Sequence, residues 1–437
     1  MSPSRSSRGF ITCLRIVWIL ALLHGEWYVF WKAARQCAPW PTDNTPSIEA
    51  QDRMLLIGDP QMTDSYSYDR PGIILRICEF YSDIYMDRNY RHLNRQLNPQ
   101  ATLFMGDLMD GGREWSDAGY QKQVTRFKRL FKSSKPQHFM VGNHDIGFGN
   151  GIRDDLVDRF ENAFGPTSYT FNTSDYSIVV LDTVSLSATN DDLLSKQRAL
   201  DLLDRHLPPH PRILFTHVPL YRSSTESCGP DRLSSKNSIR QGRGYQYQNL
   251  VGENLSKQIL ESVNPVAIFS GDDHDYCVVH HEYGENNSKV LEMTIPTFSM
   301  AQGVRYPGVV LLDLTSPRNN YIDNQQVEEK DETNEEHEDY FATKLCWLPD
   351  QIAIFIGYGC LVGLSLFGLT LMHVWRFYRL RRQRGFSKSY DGDALPIPSI
   401  MTPRPSPIRR TLSMLIKDIS DVASIGILTY LACLLIL

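Results

Sequence analysis

Leu103-Phe104-Met105-Gly106-Asp107-Leu108-Met109-Asp110-Gly111-Gly112 decides the fold of this chain. An apolar run of strand character breaks off at Gly-Asp, and a loop with a second carboxylate and two glycines follows. In open α/β folds the carboxyl ends of strands are where ligands bind, so Asp107 falls where such folds place their chemistry. One such loop is as readily a simple turn. The pattern recurs, however, at residues 54–61 (MLLIGDPQ), 139–145 (FMVGNHD), 213–217 (ILFTH) and 266–275 (VAIFSGDDHD). Apolar strands that each deliver carboxylate, amide or imidazole groups at the same end point to a metal cluster on strand ends.

Helical periodicity predicts helices over residues 72–98, with Ile73, Ile74, Ile77, Phe80, Tyr81 and Ile84 as its apolar members, and over 115–131. Shorter helices are expected at 154–164, 195–207 and 254–262, an antiparallel pair within 168–182, a hairpin from 278–281 with 289–296, and a last strand at 308–314. Strand–helix–strand repeats read as α/β. Because several strands lack intervening helices, a four-layer α/β/β/α sandwich of two mixed sheets fits better than one doubly wound sheet.

The chain has 437 residues and a formal net charge of -5, which disfavours nucleic acid as a partner. No firm protein partner is indicated. Of eight cysteines, Cys37, Cys78, Cys228, Cys277 and Cys346 lie between the first two apolar spans, and no CxxC pair suggests structural zinc. Cys228 with Cys277 is the preferred disulfide, since both fall in loops near the proposed site, and the odd number leaves a free thiol.

The organisation is read as follows: a cytosolic N-terminus (1–9), a transmembrane helix (10–31), a linker (32–50), a lumenal catalytic domain (51–314) and an acidic tether (315–350). A second transmembrane helix (351–375), a basic, Pro-containing cytosolic segment (376–418) and a third, short transmembrane helix (419–437) complete it. The first span carries Arg15, His24 and Glu26, and a cleaved signal peptide is its alternative; bulky Trp27, Tyr28, Phe30 and Trp31 favour an uncleaved anchor with an interfacial aromatic belt. Arg5, Arg8 and the run RFYRLRRQR at 376–384 place both ends of the pair in the cytosol by the positive-inside rule. Sequons at Asn172, Asn254 and Asn286 all fall on the lumenal side of that layout.

A carboxylate shared by two divalent cations is the usual means of holding them about 3.5–4 Å apart, and such a pair polarises a phosphate and makes water nucleophilic at neutral pH. Asp107 is the candidate bridge. Asp59 and His274, with the side-chain carbonyl of Gln61, would complete one ion; Asn143, His217 and Asp272 would complete the other. His144 is then free to protonate a leaving oxygen, with Asp145 either orienting it or accepting from backbone amides. Asp110 is expected to shape the loop. Asp273 and Asp275 read as hydrogen-bonded loop carboxylates, and His280 and His281 as surface or satisfied histidines. The long insertion 221–247 reads as a substrate rim, with Arg222 and Arg240 the favoured anion contacts.

Gly58-Asp59-x-Gln61, Gly106-Asp107-x-x-Asp110, Gly142-Asn143-His144-Asp145, His217 and Gly271-Asp272-Asp273-His274 together resemble the calcineurin-like metallophosphoesterase superfamily over about residues 51–314. The resemblance implies a β-sandwich flanked by helices and a two-metal site. Two departures stand out: Gln61 where the superfamily commonly has His, and Asp272 where it commonly has His. Both favour an oxygen-liking ion, manganese, with zinc or ferrous iron as alternatives. Asp59-Pro60-Gln61, the Asp-rich last motif and the flanking spans are similar to a membrane-bound branch comprising the fungal Cdc and Ted proteins and their animal counterpart. That branch implies removal of ethanolamine phosphate from a mannose, the first for the Cdc type, of glycosylphosphatidylinositol (GPI) anchors. The partner would be a GPI glycolipid or GPI-anchored protein, met at the endoplasmic reticulum membrane, with the Golgi as alternative. Competing expectations are a lumenal esterase for another phospholipid, sugar nucleotide or phosphomonoester, and a non-catalytic manganese-binding sensor or cargo receptor.

Overall fold

The computed structural model describes residues 5–41, 43, 52–68, 72–314, 341–387 and 406–436. They form two compact units, Lys32–Asp350 and a helical unit of Met1–Trp31 with Gln351–Leu437.

The strands of the first unit are β1 (Arg53–Ile57), β2 (Ala101–Phe104), β3 (Gln137–Phe139), β4 (Tyr169–Asn172), β5 (Ser177–Leu181), β6 (Arg212–Thr216), β7 (Arg243–Gly244), β8 (Tyr247–Gln248), β9 (Ala267–Ser270), β10 (Cys277–Tyr283), β11 (Ser288–Thr294), β12 (Gly308–Asp313) and β13 (Ala342–Trp347). One sheet has the order β13-β12-β1-β2-β3 and the other β10-β11-β9-β6-β5-β4. β1, β2 and β3 run parallel, as do β5, β6, β9 and β11, while β12, β13, β4 and β10 run antiparallel to their neighbours. Both sheets are therefore mixed, as expected.

Strand alternation sorts each apolar run into two faces. Met54, Leu56, Leu103 and Val310 from one sheet meet Ile178, Val180, Phe215 and Phe269 from the other in a single buried core. Phe104 points the other way, with its ring 5.3 Å from Phe127 and 5.0 Å from Phe131. The helices Ile73–Leu97 and Asp117–Leu130 cover that outer face. Within Ile73–Leu97 the buried apolar residues are Tyr85, Met86, Tyr90, Leu93 and Leu97. Ile73, Ile74, Ile77 and Phe80, singled out by periodicity, are exposed. Packing engages the second half of the helix rather than the first.

Several expected boundaries move. The segment 32–50 is not all linker: a helix runs over Val29–Cys37 and Cys37 is disulfide-bonded to Cys346. Likewise 342–347, assigned to the tether, is the edge strand β13, so the sheet gains a strand beyond residue 314. The rest of the tether, 315–340, lies outside the described residues, as do 1–4, 44–51 and 388–405. The expected Cys228–Cys277 bridge is present and Cys78 is free.

In the helical unit three helices are long and apolar enough to cross a membrane: Arg8–Cys37, Gln351–Arg382 and Pro407–Leu435. The last begins well before residue 419, which removes the shortfall in length seen in the sequence. Two of the charged residues that make the first span poor in isolation, Arg15 and Glu26, have partners on the other helices. Arg15 pairs with Asp421, and Glu26 accepts from the Tyr358 hydroxyl at 2.9 Å. Trp18 Nε1 donates to Ser365 Oγ at 3.1 Å. Polar groups inside a membrane persist when so paired.

Candidate metal centre

The loops after β1, β2, β6 and β9 converge, because parallel strands deliver their carboxyl ends to one edge. One triad, Asp59, Asp107 and His274, and a second, Asp107, His217 and Asp272, each have ligand atoms lying within 4.8 Å of one another. Asp107 belongs to both. The two sets coincide with the carboxylate and imidazole groups assigned from sequence to each ion.

Left-handed backbone brings these side chains inward. Asp59 (φ 37°), Gln61 (φ 35°), Asp107 (φ 47°), Asp272 (φ 65°) and His274 (φ 67°) all occupy it. Non-glycine residues in such regions cost on the order of 1–3 kcal/mol each and cluster at functional sites. Two glycines are required by close approach. A Cβ on Gly142 would collide with the Asp107 amide and Oδ1, and one on Gly106 (φ 97°) with His217 Nδ1.

Second contacts fix each group. His217 Nδ1 donates to the Met105 carbonyl at 2.8 Å, which leaves Nε2 as the nitrogen facing the carboxylates, 3.4 Å from Asp107 Oδ1 and 3.7 Å from Asp272 Oδ1. Holding one imidazole nitrogen by a carbonyl is the usual way to aim the other at a cation. Asp107 Oδ1 accepts from the His144 amide at 2.8 Å, and Asp59 accepts from the Asp272 amide at 3.1 Å. Asn143 Oδ1 lies 3.4 Å from His217 Nε2. Gln61 donates its amide nitrogen to Asp110 at 3.0 Å, while its buried Oε1 has no hydrogen-bond partner among the described residues. A buried carbonyl oxygen left unpaired is costly, and a cation would satisfy it.

The electrostatics ask for positive charge. Burial pushes Asp59 well above the usual carboxylate range, with His217 opposing, and burial raises Asp272 to about 7. Burial would raise Asp107 too, but the imidazoles of His217 and His144 hold it far below its ordinary value. His274 is driven down to about 4 by burial, which leaves its imidazole neutral and able to ligate. Crowded buried carboxylates without a counterion are unfavourable; two divalent ions fit this donor set.

His144 is half-buried, with Nδ1 2.6 Å from the Asp110 carbonyl and 3.1 Å from its carboxylate. Asp110 therefore orients His144, and of the two parts expected for Asp145, orienting His144 or accepting from backbone amides, the structure shows the second. Asp145 is fully committed to amides, accepting from Gly142 at 2.9 Å and Leu108 at 3.1 Å. It ties the Asp107 loop to the Asn143 loop and is a positioning residue, not a catalytic one.

Arg222 is also corrected as an anion contact. Its side chain is 2 % exposed and lies 2.6 Å from the buried Glu292 carboxylate, which also meets His281 Nε2 at 2.6 Å. It serves the core beneath the insertion. Arg240 is exposed on that insertion. The insertion is pinned by the Cys228–Cys277 bridge and by Arg232, 2.5 Å from Asp273; Asp275 accepts from the Ser234 amide at 2.7 Å.

Two contributors escaped the sequence reading. Gln246, at the turn of the β7–β8 hairpin, accepts from Asn143 Nδ2 at 3.0 Å through its backbone carbonyl. Arg113 donates to the Asn143 carbonyl at 3.0 Å. Neither has a motif signature, because one acts through its backbone and the other through a fold-dependent approach.

The calcineurin-like phosphoesterase family model matches residues 52–276. Cell division control protein 1 of Saccharomyces cerevisiae is 34% identical over 351 residues, covering 78% of this chain and 70% of its own. The chain belongs to the calcineurin-like phosphoesterase family. This phosphoesterase is also similar to Metallophosphoesterase 1 of Pongo abelii, at 23% identity over 85% of this chain and 91% of the relative. Among solved structures, a dimetal phosphatase from Danio rerio covers 61% of this chain and 93% of its own, with a TM-score of 0.35 and 12% identity. The phosphoesterase is thus a metal-dependent phosphoric ester hydrolase whose fold accommodates two divalent cations.

Proposed function

We propose that this phosphoesterase acts as a phosphodiesterase that removes ethanolamine phosphate from a mannose, the first, of GPI anchors in the lumen of the endoplasmic reticulum, with manganese as its metal. The observation that carries the reading is the sharing of Asp107 by two ligand triads in a chain similar to yeast Cell division control protein 1. The three apolar helices support it, since they would keep the enzyme in the membrane where a lipid-anchored substrate resides.

When bound, two divalent ions polarise the phosphate and supply a nucleophile at neutral pH. Asp59, Gln61, Asp107 and His274 would hold one, and Asp107, Asn143, His217 and Asp272 the other. The protein's own groups do the rest. With Nδ1 held by the Asp110 carbonyl, His144 keeps Nε2 as its working nitrogen, placed to donate a proton to the departing oxygen. Arg240 and the exposed Tyr245 on the insertion offer an anion contact and a ring face at its outer surface.

The test is turnover by the full-length purified protein of a GPI glycan bearing ethanolamine phosphate, against simple phosphomonoesters. Release of ethanolamine phosphate with manganese supports the reading, and hydrolysis confined to monoesters or other phospholipids defeats it.

A further inference from the structure

We propose that the helical unit carries a second site, separate from the metal centre, which binds the phosphate headgroup of an anionic membrane lipid. A cavity of about 450 Å³ opens between its three helices. Arg8 and Arg15 reach it from the first helix, Arg376 from the second, and Lys417, Asp418 and Asp421 from the third. Chain direction explains the meeting: the first helix begins here, the second is ending and the third is starting again.

The charges do not cancel. Asp421 is taken by Arg15, and Asp418 lies 2.9 Å from His373 Nε2. Both carboxylates of the cavity are therefore engaged. Arg8, Arg376 and Lys417 have no hydrogen-bond or ion-pair partner among the described residues. They come from three different helices and line one concave space. Ordinary snorkelling, in which each long side chain reaches water separately, does not need such convergence. Ile11 and Met414 line the same cavity and give it an apolar wall against which the upper part of a lipid chain can lie. The volume is in the range of small-molecule sites, roughly 300–1,000 Å³. Basic pockets between membrane helices suit phosphorylated headgroups, with positive charge for the phosphate and apolar surface for the chain. A soluble phosphate compound offers the same anionic chemistry without the chain, so the test separates the two sources.

The full-length protein is reconstituted in nanodiscs of phosphatidylcholine with a minor fraction of phosphatidylserine or phosphatidylinositol, and bound lipid is read by native mass spectrometry. Wild type is expected to retain the anionic lipid over phosphatidylcholine. The triple variant Arg8→Gln/Arg376→Gln/Lys417→Gln is expected to lose at least about tenfold of that preference, equivalent to about 1.4 kcal/mol. Arg379→Gln/Arg381→Gln/Arg382→Gln removes the same amount of charge from the end of the second helix, outside the cavity lining, and is expected to keep the preference. Should the triple variant not fold, Lys417→Gln alone is expected to lower the preference severalfold. Undiminished retention in the cavity variants, or equal loss in the control, overturns the site. Displacement of the lipid by millimolar inorganic phosphate or glycerophosphate overturns the lipid as occupant. Catalysis at the metal centre enters none of these readings.

Discussion

The side-chain amide of Asn143 is held by the backbone of Gln246: Asn143 Nδ2 donates to the Gln246 carbonyl at 3.0 Å, which turns Oδ1 toward His217 Nε2, 3.4 Å away. The β7–β8 hairpin thereby aims a candidate ligand. Gln246 sits at φ 64°, which glycine adopts freely and proline cannot. Gln246→Gly should keep metal affinity within a few-fold of wild type. Gln246→Pro, which displaces the carbonyl, should cost about 10–100-fold, the usual effect of losing an outer partner of a ligand. Metal titration by calorimetry checks this, and equal affinities would show that the hairpin does not orient Asn143.

Asp107 and His144 should separate binding from chemistry. Asp107→Ala removes the one carboxylate common to both triads, so it should abolish stoichiometric binding of both ions together with turnover. His144→Ala leaves every proposed ligand in place. It should retain the metal content of wild type and slow turnover about 10²–10⁴-fold, the size of general acid catalysis. Elemental analysis beside kinetics on the same preparations decides it.

Much of this centre was legible because strand ends carry their chemistry in sequence. Asp59, Asp107, Asn143, His217, Asp272 and His274 each follow an apolar run, so their convergence was implied once the runs were read as parallel strands. What was not legible depended on packing. Sequence left Asp145 open between orienting His144 and accepting from backbone amides, and only packing decides, turning its carboxylate back to the Gly142 and Leu108 amides. Arg222 looked like an anion contact beside His217, yet burial commits it to Glu292, which is distant in sequence. The strand β13 was hidden because an acidic stretch precedes it, and its pairing with β12 is a tertiary event.

Crowding of carboxylates should make the protein sensitive to pH when its metals are removed. Asp272 has its carboxyl raised to about 7 by burial, so ionising it opposes folding. The penalty is absent below about pH 4, where the group is protonated folded or unfolded, and reaches full size as pH passes about 7. In chelator, Asp272→Asn should match wild type near pH 4 and exceed it by on the order of 2–4 kcal/mol above pH 7. Urea denaturation across that range checks the sign, and a constant difference would contradict it.

Arg222 and Glu292 should behave as a buried pair rather than as substrate contacts. Burial raises Glu292, but the Arg222 guanidinium and His281 draw it down to about 2, so the carboxylate stays charged. Arg222→Met would leave that charge without its guanidinium partner, which costs about 3–5 kcal/mol. Arg222→Met/Glu292→Gln should recover most of the loss, because no buried charge is then stranded. Thermal melts provide the comparison, and KM of the folded fraction should stay within a few-fold of wild type. A large rise in KM with unchanged stability would restore Arg222 as a substrate contact.

The orientation of the Lys32–Asp350 unit makes the last prediction. Disulfides form in oxidising compartments, and Cys37–Cys346 and Cys228–Cys277 both lie in this unit. The sequons are placed unequally within it. Asn172 ends β4 and Asn286 stands in the β10–β11 turn, both exposed. Asn254 is exposed on the helix Glu253–Val263, but the hydroxyl of Ser256, which completes its sequon, accepts from the buried-side Tyr221 amide at 2.9 Å. A lumenal unit should therefore carry glycans at Asn172 and Asn286, each removed as a discrete mass by endoglycosidase and by Asn→Gln substitution. At Asn254 attachment should require modification before the helix folds, so occupancy there should be lowest. Digestion of residues 52–314 by protease added to the cytosolic face of sealed microsomes would reverse the orientation, whatever the metal centre does.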